Sequence, residues 1–246
     1  MKSVILAGGK ATRLHPLTLV TNKHLLPVYN KPVIYYAIEK LVEAGVDRIM
    51  IVTSPHHLDG FVRLLGSGQN FISINNGKQI QIVYGIQNES SGIAEGLYIA
   101  KDYVGKDNCI LYLGDNIFED DIKKHIKTFK DGALVFLKKV KNPKEFGVAK
   151  VDKNGQVLEI KEKPKNLASN LAVTGLYIYD NTVFQKMINQ PRSRRGEFEI
   201  TYINNKYIKE GKLRAAILKK DWFDVGTFDS LLKASDFKKN QLSGNR

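Results

Sequence analysis

Between Val4 and Leu113, short apolar runs alternate with amphipathic stretches, and few folds accept that alternation. Val4-Ile5-Leu6-Ala7 reads as a buried strand. Pro32 to Ala44 reads as a helix: proline suits its first turn, Ile34, Ile38, Leu41 and Val42 share one face, and Gly45 stops it. Arg48 to Thr53 follows as strand, Leu58 to Leu65 as helix, Gln79 to Tyr84 as strand, Ile93 to Tyr103 as helix and Cys109 to Leu113 as strand. This order predicts a parallel sheet covered on both faces. From Ala133 the rhythm changes to successive strands, at Ala133 to Val140, Gly147 to Val151, Val157 to Glu162 and Thr174 to Tyr179, which predicts a mixed or antiparallel portion. Helices return at Asn181 to Ile188 and Ile200 to Glu210, then a strand at Leu213 to Leu218 and a last helix from Phe228 to Lys239. The expected class is α/β, Rossmann-like, with a mixed, mostly parallel sheet flanked by helices. Residues 1–240 are expected to form one domain in two parts, about 1–132 and about 133–227, and 241–246 a frayed polar tail.

In an open α/β sheet, ligands occupy the crevice outside the carboxyl ends of the strands. The first strand ends in Gly8-Gly9-Lys10-Ala11-Thr12-Arg13-Leu14, with Lys23 close behind. Paired glycines let the backbone approach a bulky anion, and their N–H groups can converge on phosphate oxygens. The spacing matches neither a Walker loop nor a dinucleotide fingerprint, but a polyphosphate ligand is expected. Asp115 leaves a second apolar strand through Gly114-Asp115-Asn116, where a carboxylate can hold a divalent cation on phosphates. Asp224, in Trp222-Phe223-Asp224-Val225-Gly226-Thr227, is the second acidic candidate; its alternative role is to cap the helix that follows.

Composition narrows the partners. A formal charge of +13 favours polyanions, yet the lysines and arginines are spread along the chain without a basic arm, so small phosphorylated substrates are expected rather than nucleic acid. No apolar run reaches the roughly 20 residues that cross a bilayer, and Lys2 leads at once into the first strand; a cytoplasmic protein without membrane contact is expected. One cysteine, Cys109, leaves no disulfide framework, and the histidines show no zinc spacing.

Seven ordered motifs then resemble the sugar-nucleotide pyrophosphorylases: Gly8-Gly9-x-x-Thr12-Arg13-Leu14, Lys23-x-Leu25-Leu26-Pro27-Val28, Gly114-Asp115-Asn116-Ile117-Phe118, Glu162-Lys163-Pro164, Val173-Thr174-Gly175-Leu176-Tyr177, Arg195-Gly196-Glu197-x-Glu199-Ile200-Thr201 and Trp222-x-Asp224-x-Gly226-Thr227. The likeness is greatest to members that join dTTP to glucose 1-phosphate, and it spans nearly the whole chain. It implies the nucleotide-diphospho-sugar transferase fold, release of dTDP-glucose and pyrophosphate, and Mg²⁺ as cofactor. It also implies that about 1–132 is the nucleotide-binding part and about 133–227 the sugar-binding part, and it implies residue roles. Arg13 and Lys23 would grip the nucleotide phosphates and, with Lys163, make up the catalytic cations. Leu6, Gly8, Gly9, Ala11, Thr12, Gln87, Gly92 and Asp115 would complete the nucleotide site. Gly147, Glu162, Lys163, Thr174, Gly175 and Arg195 would hold the sugar phosphate, and Asp115 and Asp224 the metal.

Some positions depart from the family pattern: Ala11 for a glycine, His24 for glutamine, Phe146 for tyrosine and Tyr202 for aspartate. A methyl at Ala11 is tolerable at negative φ and damaging at positive φ. Longer members continue past the last helix into subunit contacts and a regulatory site; the chain resembles the short form, a monomer or small homo-oligomer. Three alternatives stay open at this point: use of UTP or another hexose 1-phosphate, since an amide at Gln87 suits thymine and uracil alike; a non-catalytic regulatory subunit of the same fold; and nucleic-acid binding by the basic surface.

Overall fold

A computed structural model describes residues 1–167 and 169–244. The elements run β1 (Lys2–Leu6), β2 (Pro27–Val28), β3 (Lys31–Pro32), α1 (Val33–Glu43), β4 (Arg48–Thr53), α2 (Leu58–Leu65), β5 (Gln81–Ile86), α3 (Ile93–Ile99), α4 (Lys101–Val104) and β6 (Cys109–Leu113). They continue with β7 (Asn116–Phe118), α5 (Lys123–Thr128), β8 (Ala133–Lys139), β9 (Gly147–Val151), β10 (Val157–Glu162), β11 (Leu171–Tyr179), α6 (Val183–Lys186), α7 (Ile200–Lys209), β12 (Leu213–Ile217), β13 (Trp222–Asp224) and α8 (Phe228–Ser243).

Among the described residues nine strands form one sheet. β6, β1, β4 and β5 lie parallel, β11 joins β6 antiparallel, and β8 and β12 continue from β11 as a parallel pair. Tracing the pairings, only β10 and β11 run against the rest, which makes the sheet mixed and mostly parallel. β11 is the junction. Leu171 to Val173 and Tyr177 to Tyr179 pair with β8 along one edge; along the other, Leu176 to Tyr179 pair with β6 and Leu171 and Ala172 with β9. The sheet therefore forks, and Val173, Thr174 and Gly175 stand in the gap, where the β8 register also shifts.

Alternation along each strand covers both faces. Ile5, Ile110, Tyr112, Leu134, Phe136, Leu176 and Ile178 face one core, with α1 and α2 residues such as Ile38 and Phe61. Val4, Cys109, Leu111, Val135, Leu137, Tyr177 and Tyr179 face the other, with Leu97 from α3 and Ile203 and Tyr207 from α7. Each fully buried aliphatic side chain stabilises such a core by about 1.5–3 kcal/mol, so period-two burial on both faces fixes the register. Cys109 is buried, and burial pushes its thiol up to about 12.

Two expectations need correction. The helix expected over Ile93 to Tyr103 is two helices, α3 and α4, and the last helix continues through Gln241 to Ser243, residues expected in a frayed tail. A capping box between Thr227 and Ser230 starts that helix. Gly244 caps its end, and the last two residues of the expected tail, Asn245 and Arg246, lie outside the described residues. No described helix is long and apolar enough to cross a membrane.

Candidate active site

The loop after β1 is tied down from below. The Ala7 carbonyl accepts from Asn22 Nδ2 at 2.9 Å and Thr53 Oγ1 at 3.2 Å, and Asn22 Oδ1 accepts from the His24 backbone N–H at 2.9 Å and bonds its ring Nδ1 at 2.6 Å. His24 is buried; burial first, and the neighbouring Lys23 charge next, push its imidazole down to about 3, so it is neutral at pH 7. On this base Gly8, Gly9, Arg13, Lys23, Gln87, Gly92 and Asp115 line a cavity of about 400 Å³, with Leu6 in its wall. Ala11 and Thr12 belong to the same loop without lining the cavity. Ala11 has φ +46°, the left-handed conformation in which its methyl is strained, and Thr18 Oγ1 holds its carbonyl at 2.9 Å.

The two expected metal ligands come together through a small ladder that the sequence reading did not anticipate. β13 pairs antiparallel with β7, Asp224 opposite Asn116, and the Val225 N–H donates to the Asp115 carbonyl at 2.9 Å. Asp115 is ion-paired with Lys23 and accepts from Asn116 Nδ2 at 2.9 Å. Burial opposes ionisation of Asp115, but the Lys23 ammonium and these hydrogen bonds outweigh it and hold the carboxyl down to about 2. Among the described residues Asp224 has no such partner: burial and then the Asp115 charge push it up to about 6, against Lys23 and Arg13.

A second cavity, about 210 Å³, opens beside the fork in the sheet. Gly147, Glu162, Lys163, Thr174, Gly175 and Arg195 all line it, as does Asp224. It shares Ile93, Leu113 and Glu197 with the first cavity, so the two are compartments of one cleft with Asp115 in one and Asp224 in the other. Gly175 is obligatory, because a Cβ there would stand 2.6 Å from Asn116 Cγ. Thr174 is buried and its hydroxyl donates to the Phe136 carbonyl at 2.8 Å, while Glu162 Oε2 accepts from Thr201 Oγ1 at 2.9 Å. Lys163 reaches the cavity from a left-handed backbone, φ +40°. Arg195 is held two-pronged by Glu199, with Nε and Nη2 at 3.1 and 2.9 Å, and lies 3.3 Å from Glu197 and 3.6 Å from Glu162.

Asn116 received no role from the sequence, yet it organises the junction: Oδ1 accepts from Trp222 Nε1 at 2.7 Å and from the Gly175 N–H at 3.0 Å, and Nδ2 holds Asp115. Its position beside Asp115 at a strand exit was the available signal. Glu197, which faces both compartments, lay unread within a quoted motif. Phe146, where a hydroxyl was expected, packs its ring 5.2 Å from that of Trp222, and Tyr202 packs against the second core.

A strand-end cleft with cations on both sides of a carboxylate pair defines a phosphate-handling α/β protein of the nucleotide-binding type. The chain belongs to the nucleotidyl transferase family, whose family model matches residues 2–241. It is similar to the glucose-1-phosphate thymidylyltransferase of Mycolicibacterium smegmatis, 43% identical over 242 residues, covering 96% of this chain and 82% of that one. The enzyme of the same name from Neisseria meningitidis is 41% identical over 245 residues, with the same coverage. Among solved structures, a Bacillus anthracis protein provisionally named a glucose-1-phosphate thymidylyltransferase, in complex with sucrose, superposes with TM-score 0.89 at 45% identity, covering 96% of this chain and 94% of that one. A UDP-glucose pyrophosphorylase complexed with UDP-glucose shares the fold, with TM-score 0.82 at 23% identity and 98% coverage of both chains.

Proposed function

We propose that the chain transfers a thymidylyl group from dTTP to glucose 1-phosphate, giving dTDP-glucose and pyrophosphate. The observation that carries this reading is the pair of adjoining compartments, one flanked by Arg13 and Lys23, the other by Lys163 and Arg195, meeting at Asp115 and Asp224. The relatives at 41–43% identity, glucose-1-phosphate thymidylyltransferases by name, support the choice of substrates.

The reaction asks little covalent work of the protein. A sugar phosphate has its second pKa near about 6, so at neutral pH its oxygen attacks the nucleotide α-phosphorus without a general base. The bond from the α-phosphorus to the bridging oxygen breaks, and pyrophosphate leaves with the electron pair. Lys23 and Arg13 offset charge on the nucleotide phosphates, Arg13 nearest the leaving group; Lys163 and Arg195 hold the attacking phosphate, and Glu162 accepts from sugar hydroxyls. Neutral His24 takes no proton.

Among the described residues no group of three or more His, Cys, Asp or Glu side chains forms a closed metal cage. Two carboxylates, one of them raised by burial and by the charge of the other, instead suit Mg²⁺, which takes one or two carboxylates and fills its remaining positions with water and substrate phosphate. Asp115 and Asp224 would hold it, and it would neutralise charge between the two phosphate esters. Residues 1–240 act in this reading as one unit, in a cytoplasmic setting, and the inventory of charged groups in the cleft argues against a non-catalytic subunit. The test is pyrophosphate release from dTTP, UTP and the other triphosphates, each with a panel of sugar 1-phosphates and Mg²⁺. Release with dTTP and glucose 1-phosphate is expected; no release with any pair refutes the reading.

A further inference from the structure

We infer that Glu95 sets the base preference of the nucleotide compartment by fixing which end of the Gln87 amide faces the ligand. The inference rests on the proposed function only in taking the bound molecule to be a nucleoside triphosphate.

Gln87 follows directly after β5, its backbone N–H donating to the Thr53 carbonyl at 2.8 Å, and its side chain forms part of the wall beside Gly8. The amide nitrogen is fully engaged. Nε2 donates to Glu95 Oε2 at 2.8 Å and to the Gly92 carbonyl at 3.3 Å. Both partners are acceptors only, so turning the amide over would set oxygen against oxygen twice. The orientation of this amide, ordinarily ambiguous, is dictated here by the chemistry of its neighbours. Gly92 cannot be exchanged, since its φ is +114° and a Cβ would lie 2.6 Å from the Phe198 carbonyl oxygen.

The consequence falls on Oε1. Among the described residues no group donates to it, and it lies 3.4 Å from where a Cβ on Gly8, a wall residue of the cavity, would stand, so that glycine leaves its approach open. With its two N–H groups spent, Gln87 presents the cavity with an acceptor and no donor. A base that meets it must donate. Thymine and uracil carry a proton on N3, whereas cytosine has a bare lone pair at that position and its donors sit on the 4-amino group beside it, so cytosine must shift in the compartment to meet the same acceptor. Glu95 touches no substrate in this account; it is a positioning residue, and its carboxylate rather than its bulk does the selecting.

The probes are dTTP and dCTP, which share the sugar and phosphates. The parent protein is expected to prefer dTTP at least tenfold in kcat/KM. The isosteric Glu95→Gln variant can offer Gln87 either an oxygen or an amide, which removes the shorter of the two constraints and leaves the amide's orientation to the 3.3 Å bond with the Gly92 carbonyl. It should lose most of that preference through a raised KM for dTTP, with kcat and Tm near the parent values. Gln87→Ala should lose the preference too, and adding Glu95→Gln to it should change nothing further, because the effect passes through Gln87. An unchanged dTTP-to-dCTP ratio in Glu95→Gln, or additive losses in the double variant, overturns the inference. If the parent releases no pyrophosphate from any pair, the transfer reading falls by itself. Calorimetric binding of dTTP and dCTP to the same four proteins then decides this one, and equal affinity of the parent for both overturns it.

Discussion

Asp115 and Asp224 meet across a backbone hydrogen bond, Val225 N–H to Asp115 C=O at 2.9 Å, and their carboxyls are driven in opposite directions, one down to about 2 and the other up to about 6. A raised carboxyl contributes stability that is complete below its unfolded value of about 3.9 and is lost as pH rises through the folded value. A lowered one contributes stability above that value, lost as pH falls. Metal-free Asp224→Asn should therefore be more stable than the parent at pH 8, by about 1–3 kcal/mol, and the difference should shrink towards pH 4. Urea unfolding at both pH values measures it; a difference independent of pH contradicts the assignment. Because protons and Mg²⁺ compete for Asp224, Mg²⁺ affinity of the parent should rise as pH passes 6.

Asn116 ties three strands to the carboxylate pair, and its loss should show in stability and metal affinity together. Asn116→Leu leaves the Trp222 indole N–H and the Gly175 N–H without acceptors, at about 1–3 kcal/mol for each that stays buried. Freed from Nδ2, Asp115 should also bind Mg²⁺ about 10–100-fold more weakly, the usual cost of losing a residue that orients a ligand. Denaturation and a Mg²⁺ titration on one preparation test both; full stability with full affinity would mean that Asn116 merely fills space.

Strands and their order were legible wherever burial was one-dimensional: β4, β6, β9, β10 and α2 fall on their expected bounds because apolar residues there are bracketed by glycine, proline or charge. The expected loop residues also arrive in one cleft, since strand ends in an α/β sheet converge by topology. What was not legible depends on pairing across long separations. Nothing local marks Asn116 to Phe118 as a partner of Trp222 to Asp224, and nothing in Val173-Thr174-Gly175 says that the sheet forks there. The hydrogen-bond state of Gln87 is equally non-local, set by a glutamate on the next helix.

Ala11 carries the answer to a question that the sequence could only pose. Its φ of +46° puts a methyl where glycine is at ease, and the left-handed conformation costs an alanine roughly 1–2 kcal/mol. Glycine gives back part of that in the unfolded chain, about 0.5–1 kcal/mol. Ala11→Gly should accordingly raise stability by a few tenths to about 1 kcal/mol and leave KM for glucose 1-phosphate unchanged. A fall in Tm would show that the loop takes a negative φ at this residue in solution.

Lys163 and Arg195 line the same compartment in different electrostatic states, and that difference separates their variants. Among the described residues Lys163 has no ion pair, so its charge is available to an incoming phosphate, whereas Arg195 is shared by Glu162, Glu197 and Glu199. Lys163→Ala should raise KM for glucose 1-phosphate at least tenfold with little change for dTTP, the pattern of a lost attraction. Arg195→Ala loses its contact with the phosphate and also uncovers three carboxylates in a compartment that holds Glu145 and Asp224, so repulsion adds to the rise in its KM. Salt separates the two causes, because it screens attraction and repulsion alike. Added NaCl should weaken glucose 1-phosphate use by the parent and partly restore it in Arg195→Ala. If salt weakens that variant as it weakens the parent, the loss comes from the missing contact with the sugar phosphate alone, and the glutamates only hold Arg195 in place.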